Sequence, residues 1–533
     1  MNKTRFLTQV GESPGPGESP IANPVGRTNK TRFLTQVGES PGPGESPMWV
    51  RAADRPAPRA MCYVPRMNRE HPSRPRANLS GLPARVLLSL VLCAACVLPL
   101  PSALDGLSLG AARTAEAAIY GDDYVGSTTV TDRGLNITEA PVVDAEYGIL
   151  TDEDGNVLWS RSADKRVAMA SITKIMTAIV VIERADLDDE IEVSESAAAV
   201  GESSAGLRAG TTVTVRELLK GLLIHSGNDA AVALAEGVSG DVDSFVKLMN
   251  RKARKMGLSN THFANPTGLD AENHYSSASD ISVMSRYAMN KKIFKRIVSK
   301  SSAKVDLGYG TEKLETTNAL LACWDLCIGV KTGYTSNAGQ CLASAATSED
   351  GVTLYAVVLC SSDEIERFID SYKLLDWGFE HYRSYDLATS TDVLVEAPLS
   401  GYVDRTVAAG VTDDVSAMVL DYNGDISVEV KLVDIADGVG VGDEVGTVIW
   451  RQNETVVASA PLVAKENVGA PMPWTAVYTA AARLLGVFTG DDGIAESVLY
   501  ASGVEVEMGD DTAGQIMKAS LESDIRAYVR NYE

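Results

Sequence analysis

Hydrophobic positions divide the chain into stretches of different texture. Residues 1–85 show no apolar period. Val86–Leu98, VLLSLVLCAACVL, is one unbroken apolar run. From Val142 regular patterns begin. Val142–Ser160 alternates around Asp152-Glu153-Asp154-Gly155 and predicts a hairpin. Ser171–Glu183 is apolar on all sides and predicts a buried helix. Val213–Glu236 reads as helix broken at Ser226-Gly227-Asn228. Val242–Met256 is an amphipathic helix, and Ser279–Ser299 one or two more. Cys327–Val358 returns to strands, and Glu366–Phe379 closes this part as a helix. Helices and strands in this mixture predict an α+β domain rather than a repeating βαβ series.

Near Ala388 the pattern changes. Asp392–Val463 is rich in Val, Thr, Gly and Asp, with short alternating runs at Ile426–Val433 and Val445–Gln452. It predicts a small all-β module. Trp474–Phe488 is a further apolar run, and the last 45 residues are acidic with a short terminal helix pattern. The expected boundaries are a leader at 1–66, a secretory region at 67–117, a linker at 118–141, a first domain at 142–385, a β module at 390–463 and an acidic tail at 464–533.

Composition adds direction to this outline. The 533 residues carry a formal net charge of −23, with 45% apolar and 22% charged residues. That is ordinary globular composition. Residues 1–117 hold 14 Lys/Arg against 8 Asp/Glu, and the rest hold 34 against 63. An acidic body argues against a nucleic-acid partner, which would need clustered cations.

In the leader, Asn2–Pro20 and Asn29–Pro47 are identical. Two polar, Pro-rich copies cannot bury a core. Met48, Met61 and Met67 are later candidate starts. Arg66, Arg69, Arg74, Arg76 and Arg85 then precede the apolar run, and Ala115-Glu116-Ala117 follows it. This is the order of a secretory signal. Thirteen apolar residues are short for a span of about 20. The expected location is therefore extracytoplasmic, in the wall or on the outer face of the cytoplasmic membrane, with cleavage after Ala117.

Cysteines Cys323, Cys327, Cys341 and Cys360 lie in the body, and none has paired zinc-ligand spacing. A two-residue turn at Asp350-Gly351 would set Cys341 opposite Cys360. A disulfide and two buried thiols both fit that placement.

Three short motifs carry the chemistry: Ser171-Ile172-Thr173-Lys174, Ser226-Gly227-Asn228 and Lys331-Thr332-Gly333. Each alone is weak, but their conjunction in this order is specific. Residues three apart share a helix face, so Ser171 lies beside Lys174. A serine hydroxyl needs a base to become a nucleophile. A buried lysine near other cations loses its proton and can be that base. Ser226 can relay a proton, and Asn228 can hold a substrate amide. Lys331 and Thr332 can bind a carboxylate, and Gly333 lets backbone approach a ligand closely. No cofactor and no metal is called for.

The stretches ASITKIMTAIVVIE, LLIHSGNDAAVALAE, ANPTGLDAENHYSSASD and GVKTGYTSNAGQCLASA resemble the serine-type D-alanyl-D-alanine carboxypeptidases, the low-molecular-mass penicillin-binding proteins. The resemblance spans Val142–Tyr385. It implies a β-lactamase/transpeptidase-like catalytic domain followed by a β-sandwich. It implies removal of the terminal D-alanine from a peptidoglycan pentapeptide, through an acyl-enzyme at Ser171 with Lys174 as base. It also implies covalent inhibition by β-lactam antibiotics.

On the same grounds the backbone N–H groups of Ser171 and Tyr334 would form the oxyanion hole. Arg367, in ERFIDSYKLLDWGF, falls where the family often carries a carboxylate-binding arginine. Asn265-Pro266-Thr267-Gly268-Leu269 resembles a structural loop of the family. His225 reads as packing or capping. Trp474–Phe488 stands where members often carry a peripheral membrane helix. A D,D-endopeptidase on wall cross-links shares every motif. A non-catalytic wall-binding scaffold is the alternative of another class. The E-x-x-L-N segment of a class A β-lactamase is absent.

Overall fold

The computed structural model describes residues 122–135, 139–436, 438–489, 495–508 and 515–532. The duplicated leader, the secretory region and its cleavage motif lie outside them.

The residues expected as linker supply two short strands, β1 (Tyr124–Val125) and β2 (Thr128–Thr129). The hairpin follows as β3 (Tyr147–Asp152) and β4 (Val157–Arg161). A buried ion pair fixes this edge. Arg161 grips Asp123 through two contacts of 2.7 Å and donates to the carbonyls of Val143 and Ala145. The described residues 122–135 and 139–141 thus belong to the first body.

The helical half comprises α1 (Lys174–Ile182), α2 (Val215–Leu223), α3 (Asn228–Ser239), α4 (Val242–Lys255), α5 (Ala278–Met289) and α6 (Lys292–Val298). Side-chain caps explain several starts: Thr214 caps α2, Asp241 caps α4 and Ser277 caps α5. A small hairpin, β5 (Ser302–Asp306) and β6 (Thr311–Glu315), leads on. The main strands are β7 (Cys327–Thr335), β8 (Gly339–Thr347) and β9 (Thr353–Ser361), and α7 (Glu366–His381) closes this body.

The sheet runs β2-β1-β4-β3-β9-β8-β7, with β7 at one edge. Both faces are buried, and the two-residue period of a strand divides them. Along β9, Tyr355, Val357 and Leu359 join the core shared with the helical half. Leu354, Ala356 and Val358 join a second core with Phe368, Ile369 and Tyr372 of α7.

The turn between β8 and β9 differs from expectation. It is a five-residue connection, 348–352, with Ser348 N donating to Val352 O at 2.9 Å. Pairing therefore sets Leu342 opposite Val358 and Thr347 opposite Thr353, one residue out of the expected register. An irregularity at Cys360, whose φ is +62°, leaves Cys341 without it as a direct cross-strand partner. Both thiols are free. Burial pushes the Cys341 thiol up to about 12.

The β module contains β10 (Tyr382–Ala388), β11 (Val395–Pro398), β12 (Thr406–Gly410), β13 (Val415–Leu420), β14 (Ile426–Leu432), β15 (Glu444–Gln452) and β16 (Thr455–Ala464). β10 pairs with β13 alone, and the others form a second sheet around Trp450, Val448 and Leu462. After α8 (Pro473–Thr489) comes β17 (Val498–Leu499), which adds to the edge at β11. The last helix, α9 (Gln515–Tyr532), returns to the first body, where Ile525 and Val529 enter the core under α7. The acidic stretch read as a tail therefore contributes structure to both bodies.

Candidate active site

A one-turn 3₁₀ helix, Ala170–Thr173, precedes α1 and carries Ser171. Ala170 takes φ +48°, a left-handed conformation that costs energy in a non-glycine residue. The strain turns the chain sharply into the helix and leaves the Ser171 hydroxyl half-exposed in a cleft of about 700 Å³. Gly333 and Gly268 permit this turn. A Cβ at Gly268 would lie 2.0 Å from the Ala170 carbonyl oxygen. A Cβ at Gly333 would lie 3.0 Å from Met169 O and 3.1 Å from Ser171 N. The reason for glycine in the third motif is thus room for the nucleophile's own backbone.

Lys174 is fully buried, with its Nζ 2.7 Å from each of Ser171 Oγ, Asn228 Oδ1 and the carbonyl of Thr267. Asn228 Nδ2 donates to Gly201 O, which turns its Oδ1 toward the lysine. Asn228 Oδ1 and Thr267 O can only accept. A neutral amine has two N–H groups for these two acceptors, and its lone pair then faces the Ser171 hydroxyl. Burial holds the Lys174 ammonium well below its usual range, and the nearby Lys331 cation adds to the shift.

Lys331, also buried, donates to Ser226 Oγ and Thr332 O, both at 2.9 Å. Desolvation, with a further contribution from Arg367, brings it down to about 7. Ser226, read from the sequence as a proton relay, has Lys331 as its hydrogen-bond partner. Ser226 has φ +65°, the bend between α2 and α3. Thr332 Oγ1 lies 2.6 Å from Thr317 Oγ1.

Arg367 is buried at the start of α7. It donates to Gly333 O at 3.2 Å and to Glu364 at 3.0 Å. A surface role for it is therefore excluded. Ser171, Ser226, Thr332, Gly333, Tyr334 and Arg367 line one cleft, with Lys174, Asn228 and Lys331 beneath its floor. Tyr334 lies on β7, the edge strand, with its side chain exposed. His225 also lines the cleft, and its Nδ1 is buried without a partner.

Some supporting groups were not legible in the sequence. Asp229 accepts from the backbone N–H groups of Ala205, Gly206 and Leu207, and so pins the loop that carries Ser203. His274 Nδ1 accepts from Ala264 N–H, so Nε2 carries the proton and donates to Thr173 Oγ1. Burial lowers His274 to about 4 and keeps it neutral. Asn265 holds its own loop by accepting from Thr267 N and Gly268 N, which places the Thr267 carbonyl on Lys174. Both polar neighbours, Asp229 beside Asn228 and His274 near the N-P-T-G-L loop, were visible as letters. Their partners are distant in sequence, and no spacing rule reaches them.

The family description D-alanyl-D-alanine carboxypeptidase, Peptidase_S11, matches residues 135–363. The chain is 35% identical over 339 residues to the D-alanyl-D-alanine carboxypeptidase DacF of Bacillus subtilis (strain 168), covering 61% of this chain and 86% of that protein. Identity to DacC of Escherichia coli (strain K12), also a D-alanyl-D-alanine carboxypeptidase, is 32% over 357 residues, covering 62% and 86%. Among solved structures, penicillin binding protein 5 from Haemophilus influenzae is 29% identical, with 62% of this chain and 99% of that one covered at a TM-score of 0.49. With most of two such relatives spanned at this identity, the chain belongs to the D-alanyl-D-alanine carboxypeptidase family of serine peptidases.

Proposed function

We propose that this chain removes the terminal D-alanine of a peptidoglycan stem peptide through an acyl-enzyme at Ser171. The observation that carries this reading is the Lys174 amine, 2.7 Å from Ser171 Oγ with its N–H groups taken by Asn228 and Thr267. As Ser171 attacks the penultimate carbonyl, Lys174 takes its proton. The Ser171 and Tyr334 N–H groups receive the oxyanion. The amide C–N bond then breaks, and D-alanine leaves with a proton relayed by Ser226. Water, with Lys174 again as base, hydrolyses the ester.

Lys331, Thr332 and Arg367 bind the terminal carboxylate. Buried Lys331 and Arg367, the latter paired only with the half-exposed Glu364 among the described carboxylates, favour an arriving anion. β7 offers an open strand edge along which an extended peptide can pair. The same nucleophile would open a β-lactam ring and retain it as an ester.

Export through the secretory region and action outside the cytoplasm complete the proposal. No described helix is long and apolar enough to cross a membrane. On α8, however, Trp474, Val477, Tyr478, Leu484 and Leu485 are exposed, each by 65–70%. Such a face suits peripheral attachment to a lipid interface.

The test is release of D-alanine from diacetyl-Lys-D-Ala-D-Ala by the exported body, with Ser171→Ala as control. Ser171-dependent release is expected, together with a penicillin adduct mapped to Ser171. A mapped adduct on any other residue would sink the assignment.

A further inference from the structure

The last helix, α9, reaches the active-site cleft. Tyr528 and Val529 line it together with Glu364, Arg367 and Phe368 of the α7 start. The helix is seated by a built contact. Leu521, Ile525, Tyr528 and Val529 recur at three- and four-residue spacing and share the apolar cluster of Leu320, Phe368 and Tyr372. Ile525 is fully buried and Val529 is 5% exposed. Arg526 pairs with Glu366 at 2.8 Å, one residue from the cleft arginine Arg367. None of the three motifs requires this helix.

Its place in the cleft decides what it does. Ser171 marks the scissile carbonyl, and Thr332 with Arg367 marks the carboxylate of the departing residue. Tyr528 and Val529 line the cleft beside Arg367 and Phe368, on the side where the residue after the scissile bond would lie. In a linear stem peptide the leaving group is a single D-alanine. In a D-alanyl cross-link it is the side-chain amine of a second, whole stem peptide. The bonds made and broken are the same in both: the Ser171 ester forms, the amide C–N bond breaks, and the amine leaves protonated. Only the volume required past the carboxylate differs.

We propose that α9 is a wall on the leaving-group end of the cleft, with Tyr528 and Val529 as specificity-determining residues that admit a terminal D-alanine and reject a cross-linked peptide. The inference rests on the carboxypeptidase reading above. A clash of this kind rejects the wrong substrate without requiring tighter binding of the right one. It also separates two activities that the three motifs leave equivalent.

The experiment compares two substrates on the full chain: diacetyl-Lys-D-Ala-D-Ala, and a purified muropeptide dimer joined by a D-alanyl side-chain amide. The first variant, Tyr528→Ala/Val529→Ala, removes the wall and keeps Ile525 and Arg526 for docking. The second, Ile525→Asp/Arg526→Glu, places charge in the apolar seat and repels Glu366. Penicillin acylation at Ser171 and the melting temperature report folding.

The wild type should cleave the linear peptide and leave the dimer. The ratio of dimer to linear turnover should rise at least tenfold in both variants. A variant that still acylates with penicillin but keeps the wild-type ratio overturns the wall, as does wild-type cleavage of the dimer at the linear rate. Absence of Ser171-dependent release from the linear peptide in the wild type instead strikes the carboxypeptidase reading and takes the wall's role with it.

Discussion

The catalytic body and the β module bury very different things. Around and beneath the cleft lie Lys174, Lys331, Asp229 and Arg367, all ionisable side chains within an apolar interior. The core of the β module is Trp450, Val448, Leu462 and similar side chains. Its shifted carboxylates, Glu396, Asp414 and Glu429, are at the surface. Charges removed from water are costly unless each finds partners. The first body bears that cost because desolvation is what makes a lysine a base. The second has no part in the proposed reaction, its core is apolar, and its buried carboxylate Asp421 is paired with His381 at 2.8 Å. Activity and stability should therefore respond to different residues.

The sharpest break of this comparison is Lys174→Met. Acylation of Ser171 by penicillin should fall on the order of 10³-fold or more, about 4 kcal/mol of barrier. The melting temperature should hold within a few degrees, since a buried neutral amine is replaced by an apolar chain of similar length. In the wild type, the acylation rate should rise with pH through the lowered pKa of Lys174, because the neutral amine is the active form. A rate that falls as pH rises through that pKa would remove Lys174 as the base.

Trp450→Ala is the mirror image. It empties the centre of the β module and should cost about 3–5 kcal/mol by chemical denaturation. The kcat on a linear peptide should stay within about twofold of wild type below the melting range, where the remaining fold is intact. A loss of kcat without loss of folded protein would show that the module shapes the cleft.

His274 gives a third, smaller effect. Its pKa is depressed from 6.5 to about 4, so the folded state binds the proton less readily than the unfolded chain. Stability from this group is full above pH 6.5 and is lost as pH falls toward 4, by at most about 3 kcal/mol. Unfolding midpoints of wild type and His274→Gln, measured from pH 7 to 4, should converge on the acid side. Parallel curves would place the acid sensitivity elsewhere. Last comes Glu429→Gln, which breaks exposed contacts to Lys431 and Arg451. Its melting temperature should be indistinguishable from wild type.

Much of this division was readable from residues. The apolar run after Ser171 foretold a buried helix and hence a desolvated Lys174. The near-continuous apolar run 354–359 is what a strand buried on both faces requires. The three motifs meet because the segments between them fold back, which spacing alone does not encode. What escaped were contacts fixed by register and long loops. Cys341 and Cys360 missed each other by one residue of register, set by the five-residue turn and the irregularity at Cys360. Ser226 found Lys331, not Lys174, because the left-handed bend at Ser226 turns its hydroxyl toward β7. The terminal helix pattern was visible, but nothing local told that Ile525 would dock under α7.

The Asp123–Arg161 clasp sets a limit on how far the chain can be shortened from its amino-terminal side. A processing cut after Ala117 leaves five residues ahead of Asp123 and spares the pair. A cut six or more residues further on would strip away Asp123 and strand the Arg161 guanidinium inside the sheet edge. Losing one partner of a buried pair costs about 3–5 kcal/mol, comparable to emptying the Trp450 site. Aminopeptidase trimming of an amino terminus upstream should therefore stall just before Asp123, so that the fold itself sets how far the chain can be shortened.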